Sequence, residues 1–212
     1  MRAGRAAAGV VGMAAALLAP GRALAEPSAW VIDDGEKVLQ GAQDTPLERG
    51  QDDPVWSPGE PVRLFAMRNE SVALQVVVAA DDAELEGVTV ELPELRDADG
   101  AAMVDAPKSR LVGRPVERFV EHFVDVWRPS RGKLDGGSRG WEPGSGPPDG
   151  AYVGRVPDAL IPVEDAPAWD PYPMKVRAHQ NGVVWIDVNV PREQAPGAYR
   201  GVVTVQSSAG TV

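Results

Sequence analysis

Short runs of hydrophobic residues, many of them alternating with polar residues, follow one another along most of the chain. The 23 glycines and 20 prolines separate one run from the next. This distribution is typical of many strands joined by turns. No long helical period with capping residues is visible, so the pattern predicts an all-β protein.

Four runs predict strands, and in three of them alternate apolar side chains share one face. They are residues 62–66, then the rows Val72, Leu74, Val76, Val78, then Val88, Val90, Leu92, and finally Val184, Ile186, Val188, Val190. In the last run Trp185, Asp187 and Asn189 point the other way. That alternation predicts a half-buried antiparallel strand with one wet face.

The run "RFVEHFVDVW" fits two elements. Phe119, Phe123 and Trp127 recur at helical spacing, whereas the three valines between them suit a strand. β-branched residues favour the strand. The next stretch, residues 128–150, is rich in glycine and proline and predicts a long irregular loop.

The closing stretch "APGAYRGVVTVQSSAGTV" predicts a turn, a strand and the start of another strand. Tyr199, Gly201, Val203 and Val205 should form an inward row. The spacing of Gly197 and Tyr199 is typical of the tyrosine corner of immunoglobulin-like domains. We therefore expect an immunoglobulin-like antiparallel β-sandwich with long Gly/Pro-rich loops over residues 26–212, truncated at its C-terminal end.

The first 25 residues have the pattern of an export signal. Arg2 and Arg5 precede an apolar run over residues 6–19, and Ala23-Leu24-Ala25 fits the small-x-small cleavage rule. The alternative is a retained anchor, although the run is short for a membrane span. The signal predicts a periplasmic or extracellular protein that is free of the membrane after cleavage.

Charge and cysteine content exclude several classes of function. The net charge is −10, and loss of Arg2, Arg5 and Arg22 from the 21 basic residues leaves 18 against 31 acidic ones, or −13. Such a surface repels phosphate backbones, so nucleic acid and anionic membranes are not expected partners. The absence of cysteine excludes disulfides, thiol catalysis, cysteine-ligated metal and a lipoprotein anchor.

Four segments point to a known family. "RNESVALQVVV" (68–78), "PDALIP" (157–162), "NGVVWIDVNVP" (181–191) and "APGAYRGVVTV" (195–205) occur in this order. With them the chain resembles the N-terminal β-sandwich region of secreted glycoside hydrolase family 123-like proteins, a group that includes β-N-acetylgalactosaminidases. The resemblance covers most of residues 30–212.

This resemblance implies that a (β/α)₈ catalytic barrel follows the sandwich in the parent protein, with an adjacent Asp-Glu pair as its catalytic residues. The chain has no Asp-Glu dipeptide and no room for a barrel of about 200 residues. We therefore expect no catalytic residue here, and we expect a fragment whose partner is the barrel of a glycoside hydrolase parent acting in carbohydrate metabolism.

Other chemistry is weakly supported. His122 and His179 lie far apart and lack metal-ligand spacing, so structural or exposed roles are expected, with no metal and no cofactor. Glu117 and Glu121 would share a face of a strand at a distance, or repel each other as neighbours on a helix, and neither arrangement is a glycosidase site. Acidic pairs such as Asp81-Asp82 lack the spacing of a calcium loop.

Aromatic residues are the strongest candidates for binding. Sugar rings pack on Trp and Tyr, which also offer a polar edge. The candidates for a carbohydrate or domain-interface role are Trp141, Trp169, Tyr172 and Trp185. Alternatively, they fold back over the sandwich.

The favoured function is a non-catalytic accessory domain that supports the barrel. One alternative is a free-standing carbohydrate-binding module that takes glycans as partners. The other alternative is a structural or adhesive module of the cell envelope.

Overall fold

The computed structural model describes residues 28–41, 53–103, 114–127 and 153–211. Their regular structure is nine strands and one 3₁₀ turn, Val163–Asp165, which confirms the all-β prediction. The strands are β1 Ser28–Asp33, β2 Glu70–Ala80, β3 Leu85–Glu91, β4 Val116–Val126, β5 Gly154–Pro162, β6 Met174–Val176, β7 Gln180–Val190, β8 Thr204–Ser207 and β9 Gly210–Thr211. The predicted signal peptide and the predicted loop 128–150 lie outside the described residues.

The strands form two antiparallel sheets. The first has the order β1-β2-β7-β4-β5, and the second has the order β6-β3-β8-β9. The longest pairing joins β2 to β7, from Glu70 opposite Val190 to Ala80 opposite Gln180. Because residues of the ambiguous run 118–127 pair with both β5 and β7, the run belongs to a strand, β4, as its valines predicted.

The main core lies where the two sheets face each other. It takes Leu74, Val76, Val78, Val120, Val184 and Ile186 from the first sheet and Val88, Val90, Met174, Val176 and Val205 from the second. These residues include most of the apolar rows predicted from alternation. The arrangement is a β-sandwich, in which alternate side chains of each strand are buried between the sheets.

A second apolar cluster covers the opposite face of the first sheet. It contains Trp30, Ile32, Val38, Val77, Ala79, Phe123 and Val183. The expectation that the second face of β7 is wet is therefore wrong at the end of the strand that holds Val183, which is fully buried. Alternation within β7 could not show this, because Val38 and half-buried Trp56 come from distant segments.

Residues 62–66 do not form the predicted strand. Val62 packs against the main core, but Phe65 is 86% exposed. The backbone hydrogen bond from the N–H of Arg63 to the carbonyl of Val55 ties this segment to residues 53–57 instead of a sheet. An apolar run makes a strand only where a neighbouring strand can pair with it.

Tyr199 bonds back to the backbone as the predicted corner requires. Its hydroxyl donates to the carbonyl of Ala195 at 3.1 Å and accepts from the side-chain amide of Gln194 at 2.5 Å. The ring is only half-buried, and β8 begins at Thr204. Of the predicted inward row Tyr199, Gly201, Val203 and Val205, only Val203 and Val205 pack in the main core.

Candidate functional site

The first sheet splits between β4 and β7. Their pairing runs from Val116 opposite Val188 to Val120 opposite Val184, where it ends. Both strands continue beyond this point, and the register of β4 with β5 shifts between His122 and Phe123. A pocket of about 560 Å³ lies at the split, which is within the range of small-molecule sites of roughly 300–1,000 Å³.

Gln40 spans one end of the split. Its carbonyl accepts a hydrogen bond from the N–H of Asn181 at 2.7 Å, and its own N–H donates to the carbonyl of Arg155 at 2.9 Å. The guanidinium of Arg155 donates to the Gln40 side-chain oxygen at 3.1 Å. The segment before β2 thus joins β7 to β5 and gives the pocket a fixed wall.

The rim of the pocket is the loop of residues 166–173, which we call the aromatic loop. Trp169 is 69% exposed and lines the pocket with Asp170 and Pro171. Nδ1 of His122 lies 2.7 Å from Oδ2 of Asp170, and the His122 ring meets the Trp169 ring edge-on with centroids 5.0 Å apart. An exposed indole is therefore held by contacts with β4.

Tyr172 anchors the other end of the aromatic loop. Its hydroxyl accepts from the N–H of Val90 at 2.8 Å and donates to the carbonyl of the same residue at 3.0 Å. β6 pairs with β3 but begins only at Met174. The Tyr172 hydroxyl therefore makes with Val90 the two hydrogen bonds that the backbone of a neighbouring strand would otherwise make. Burial raises the pKa of the Tyr172 hydroxyl.

Glu121 lines the pocket wall from β4. It is 5% exposed, and its Oε1 has no hydrogen-bond partner among the described residues. Burial raises the pKa of Glu121 to about 7, although the positive charge of Lys37 opposes the change. Glu117, four residues earlier on β4, is also buried, and Arg114 lies 3.3 Å from it. Burial raises the pKa of Glu117 too, against the effect of Arg114.

The structure separates the aromatic candidates. Trp169 lines the pocket, Tyr172 packs on the main core, and Trp185 lies half-buried on β7 with its Nε1–H donating to Asp187 at 2.6 Å. Trp141 lies outside the described residues. A sugar platform of Trp141, Trp169 and Tyr172 thus stays a prediction, and among the described candidates only Trp169 lines the pocket.

Sequence reasoning missed the pairing of His122 with Asp170 and the burial of Glu121. The available signal for Glu121 was a carboxylate flanked by Val120 and His122 within a run that also holds Phe119, Phe123 and Val124. Within the described residues no group of three or more His, Asp or Glu side chains could hold a metal ion. In the same part of the chain, no helix has the length and apolar character to cross a membrane.

Comparison with known proteins gives a structural likeness but no match to the sequence. No family model and no curated protein matches the sequence. Among solved structures, the chain is similar to a family 123 glycoside hydrolase from Clostridium perfringens that was analysed for glycolipid glycan hydrolysis. The TM-score is 0.47 at 12% sequence identity, and the match covers 86% of this chain and 24% of that chain. The chain thus spans about a quarter of the length of that enzyme.

Proposed function

We propose that this chain is the non-catalytic N-terminal accessory domain of an exported glycoside hydrolase-like protein. Its partner would be a (β/α)₈ catalytic barrel of the same parent protein. One observation carries the proposal: the four segments of the family resemblance are the frame of the sandwich. They supply most of β2, β5 and β7 and the turn that leads into β8.

A surface suited to a neighbouring domain supports the proposal. Leu64, Phe65 and Met67 are exposed in the irregular segment 61–67, whose Val62 is fixed against the main core. Grouped exposed apolar side chains are typical of contact surfaces. We assign this segment as the contact with the barrel.

Activity measurements test the proposal. The purified chain from Glu26 to Val212 should release no product from aryl N-acetylgalactosaminides or other aryl glycosides, whereas a parent protein with the barrel should. Phe65→Ser should lower the melting temperature of the parent and leave that of the isolated domain unchanged. Turnover by the short chain that a single carboxylate substitution in it abolishes would contradict the accessory role.

Export is part of the same proposal. Protein recovered from an exporting host should begin at Glu26, after the Ala23-Leu24-Ala25 site. Its N-terminal residue can be read by mass spectrometry of the periplasmic or secreted fraction. A Met1 terminus on membrane-bound protein would support the retained anchor instead.

A free-standing carbohydrate-binding module is the second candidate. The observation that favours it is Trp169, a large apolar side chain that is exposed although its loop is anchored at both ends. In this role the chain alone should be retarded in a polysaccharide gel. An accessory domain without glycan contacts should migrate unchanged.

A further inference from the structure

We propose that the pocket at the split between β4 and β7 binds one neutral sugar ring, with Trp169 as its stacking face. The proposal does not depend on the accessory role, because a supporting domain and a free-standing module can both carry such a site. It rests on the geometry of the aromatic loop and on the charges at the rim.

The aromatic loop at the rim of the pocket is held in place by contacts of its own residues. His122 and Tyr172 hold the aromatic loop on either side of Pro171, and the N–H of Asp170 donates to the carbonyl of Pro167 at 3.0 Å. A ligand would lose little free energy in ordering a side chain that is already held. The flat C–H face of a pyranose is a natural partner for an exposed indole, which is rigid and has a polar edge.

The charges at the rim favour a neutral ligand. The ammonium of Lys175 bonds to Glu84 and Glu86 at 2.6 and 3.1 Å. Arg155 lies 3.4 Å from Asp125. Asp170 is likewise engaged by His122. Counted with Arg177, which lines the pocket without such a partner, these groups are three basic and four acidic side chains. An anion would therefore meet no excess of positive charge, and a cation would have to compete with Lys175 and Arg155, whereas a neutral ring leaves the pairs in place.

Two lining side chains remain for hydrogen bonds. The guanidinium of Arg177 and the amide of Gln180 have no side-chain partner among the described residues. Together they offer several N–H donors and one amide acceptor. Hydroxyl groups of a sugar can both accept and donate, so they match this set. The deeper wall of the pocket, where Glu121 is buried, limits the size of the ligand.

Saturation-transfer NMR with free glucose, galactose, mannose and N-acetylgalactosamine tests the proposal on the mature chain. At least one of these sugars should bind. Trp169→Ala should lower the affinity for that sugar by about tenfold or more, a change of 1.4 kcal/mol. Trp127→Ala is the matched control, because Trp127 is 88% exposed and lies outside the pocket lining. It should leave binding unchanged.

A second pair of variants tests the hydrogen bonds independently of the indole. Arg177→Ala should lower the affinity for the same sugar. Arg192 is exposed and lies outside the pocket lining, so Arg192→Ala should leave the affinity unchanged. Three results would overturn the proposal: no transfer to any of the four sugars, equal binding by the wild type and Trp169→Ala, or preference for glucosamine or glucuronate over glucose.

Discussion

The Nδ1 atom of His122 lies 2.7 Å from Oδ2 of Asp170 and joins strand β4 to the aromatic loop. The same ring contacts Trp169 edge-on. One side chain of the first sheet therefore holds two neighbouring residues of the loop that leads into the second sheet.

Replacing this histidine should loosen the loop. His122→Asn removes the ring contact with Trp169 and shortens the reach to Asp170, so the amides of residues 168–170 should exchange hydrogen faster. The cost to global stability should be about 1 kcal/mol, typical of one hydrogen bond. His179→Asn is the control, because asparagine tolerates the positive φ of 60° at that position. Equal exchange in the two variants would contradict the anchoring role.

Glu121 should make stability depend on pH. Its pKa is about 7 in the folded protein against 4.5 for the free side chain, so the folded state binds more protons between these values. The free energy of unfolding should therefore fall as pH rises from about 4.5 to 7, by about 3 kcal/mol from this group.

Urea unfolding at pH 5 and pH 8 measures this effect. Glu121→Gln should lose less stability between the two pH values than the wild type, because it has no proton to release. Glu193→Gln changes an exposed glutamate and should keep the wild-type difference. If both variants keep that difference, Glu121 is not the group responsible.

Removing the Tyr172 hydroxyl should cost stability. Tyr172→Phe leaves the N–H of Val90 without its 2.8 Å partner inside the sandwich, at an expected cost of about 1–3 kcal/mol. Tyr199→Phe removes a hydroxyl that lies closer to solvent and should cost less. Thermal melts of the two variants give the comparison, and a Tyr172→Phe variant as stable as the wild type would count against it.

Gly201 should not accept a larger residue. A Cβ there would lie 2.6 Å from the carbonyl oxygen of Glu94 and 2.7 Å from Leu92, so Gly201→Ala should cost about 1–3 kcal/mol. Gly197 is the control, since its nearest neighbour would be Tyr199 at 3.9 Å. Chemical denaturation should give a lower unfolding midpoint for Gly201→Ala than for Gly197→Ala. Similar midpoints would show that the backbone near Gly201 shifts to accommodate the methyl group at little cost.

The core between the sheets should depend on Ile186. The residue is fully buried in the main core, and Ile186→Ala should cost about 2–5 kcal/mol through lost burial and a cavity. Val202→Ala changes a side chain that is 73% exposed and should have little effect. A cost below about 1 kcal/mol for Ile186→Ala would mean that the core closes around the gap.

The sequence by itself determined strands β2, β3 and β7 and their inward faces. Alternation in "VVWIDVNV" and "SVALQVVV" is a local property, because side chains of a strand point to opposite faces with a period of two. The inward-facing rows Val184–Ile186 and Val76–Val78 could therefore be predicted without knowing which strands pair with them. The valines of β4 likewise decided between strand and helix.

Only the tertiary structure decided which strands lie side by side and where their pairing stops. The burial of Val183, the failure of residues 62–66 to pair, and the split between β4 and β7 all depend on segments distant in the chain. The same holds for His122 and Asp170, which are 48 residues apart and meet because β5 and the aromatic loop fold back over β4. Contacts of this kind leave no period in the sequence, so the pocket could not be predicted from it.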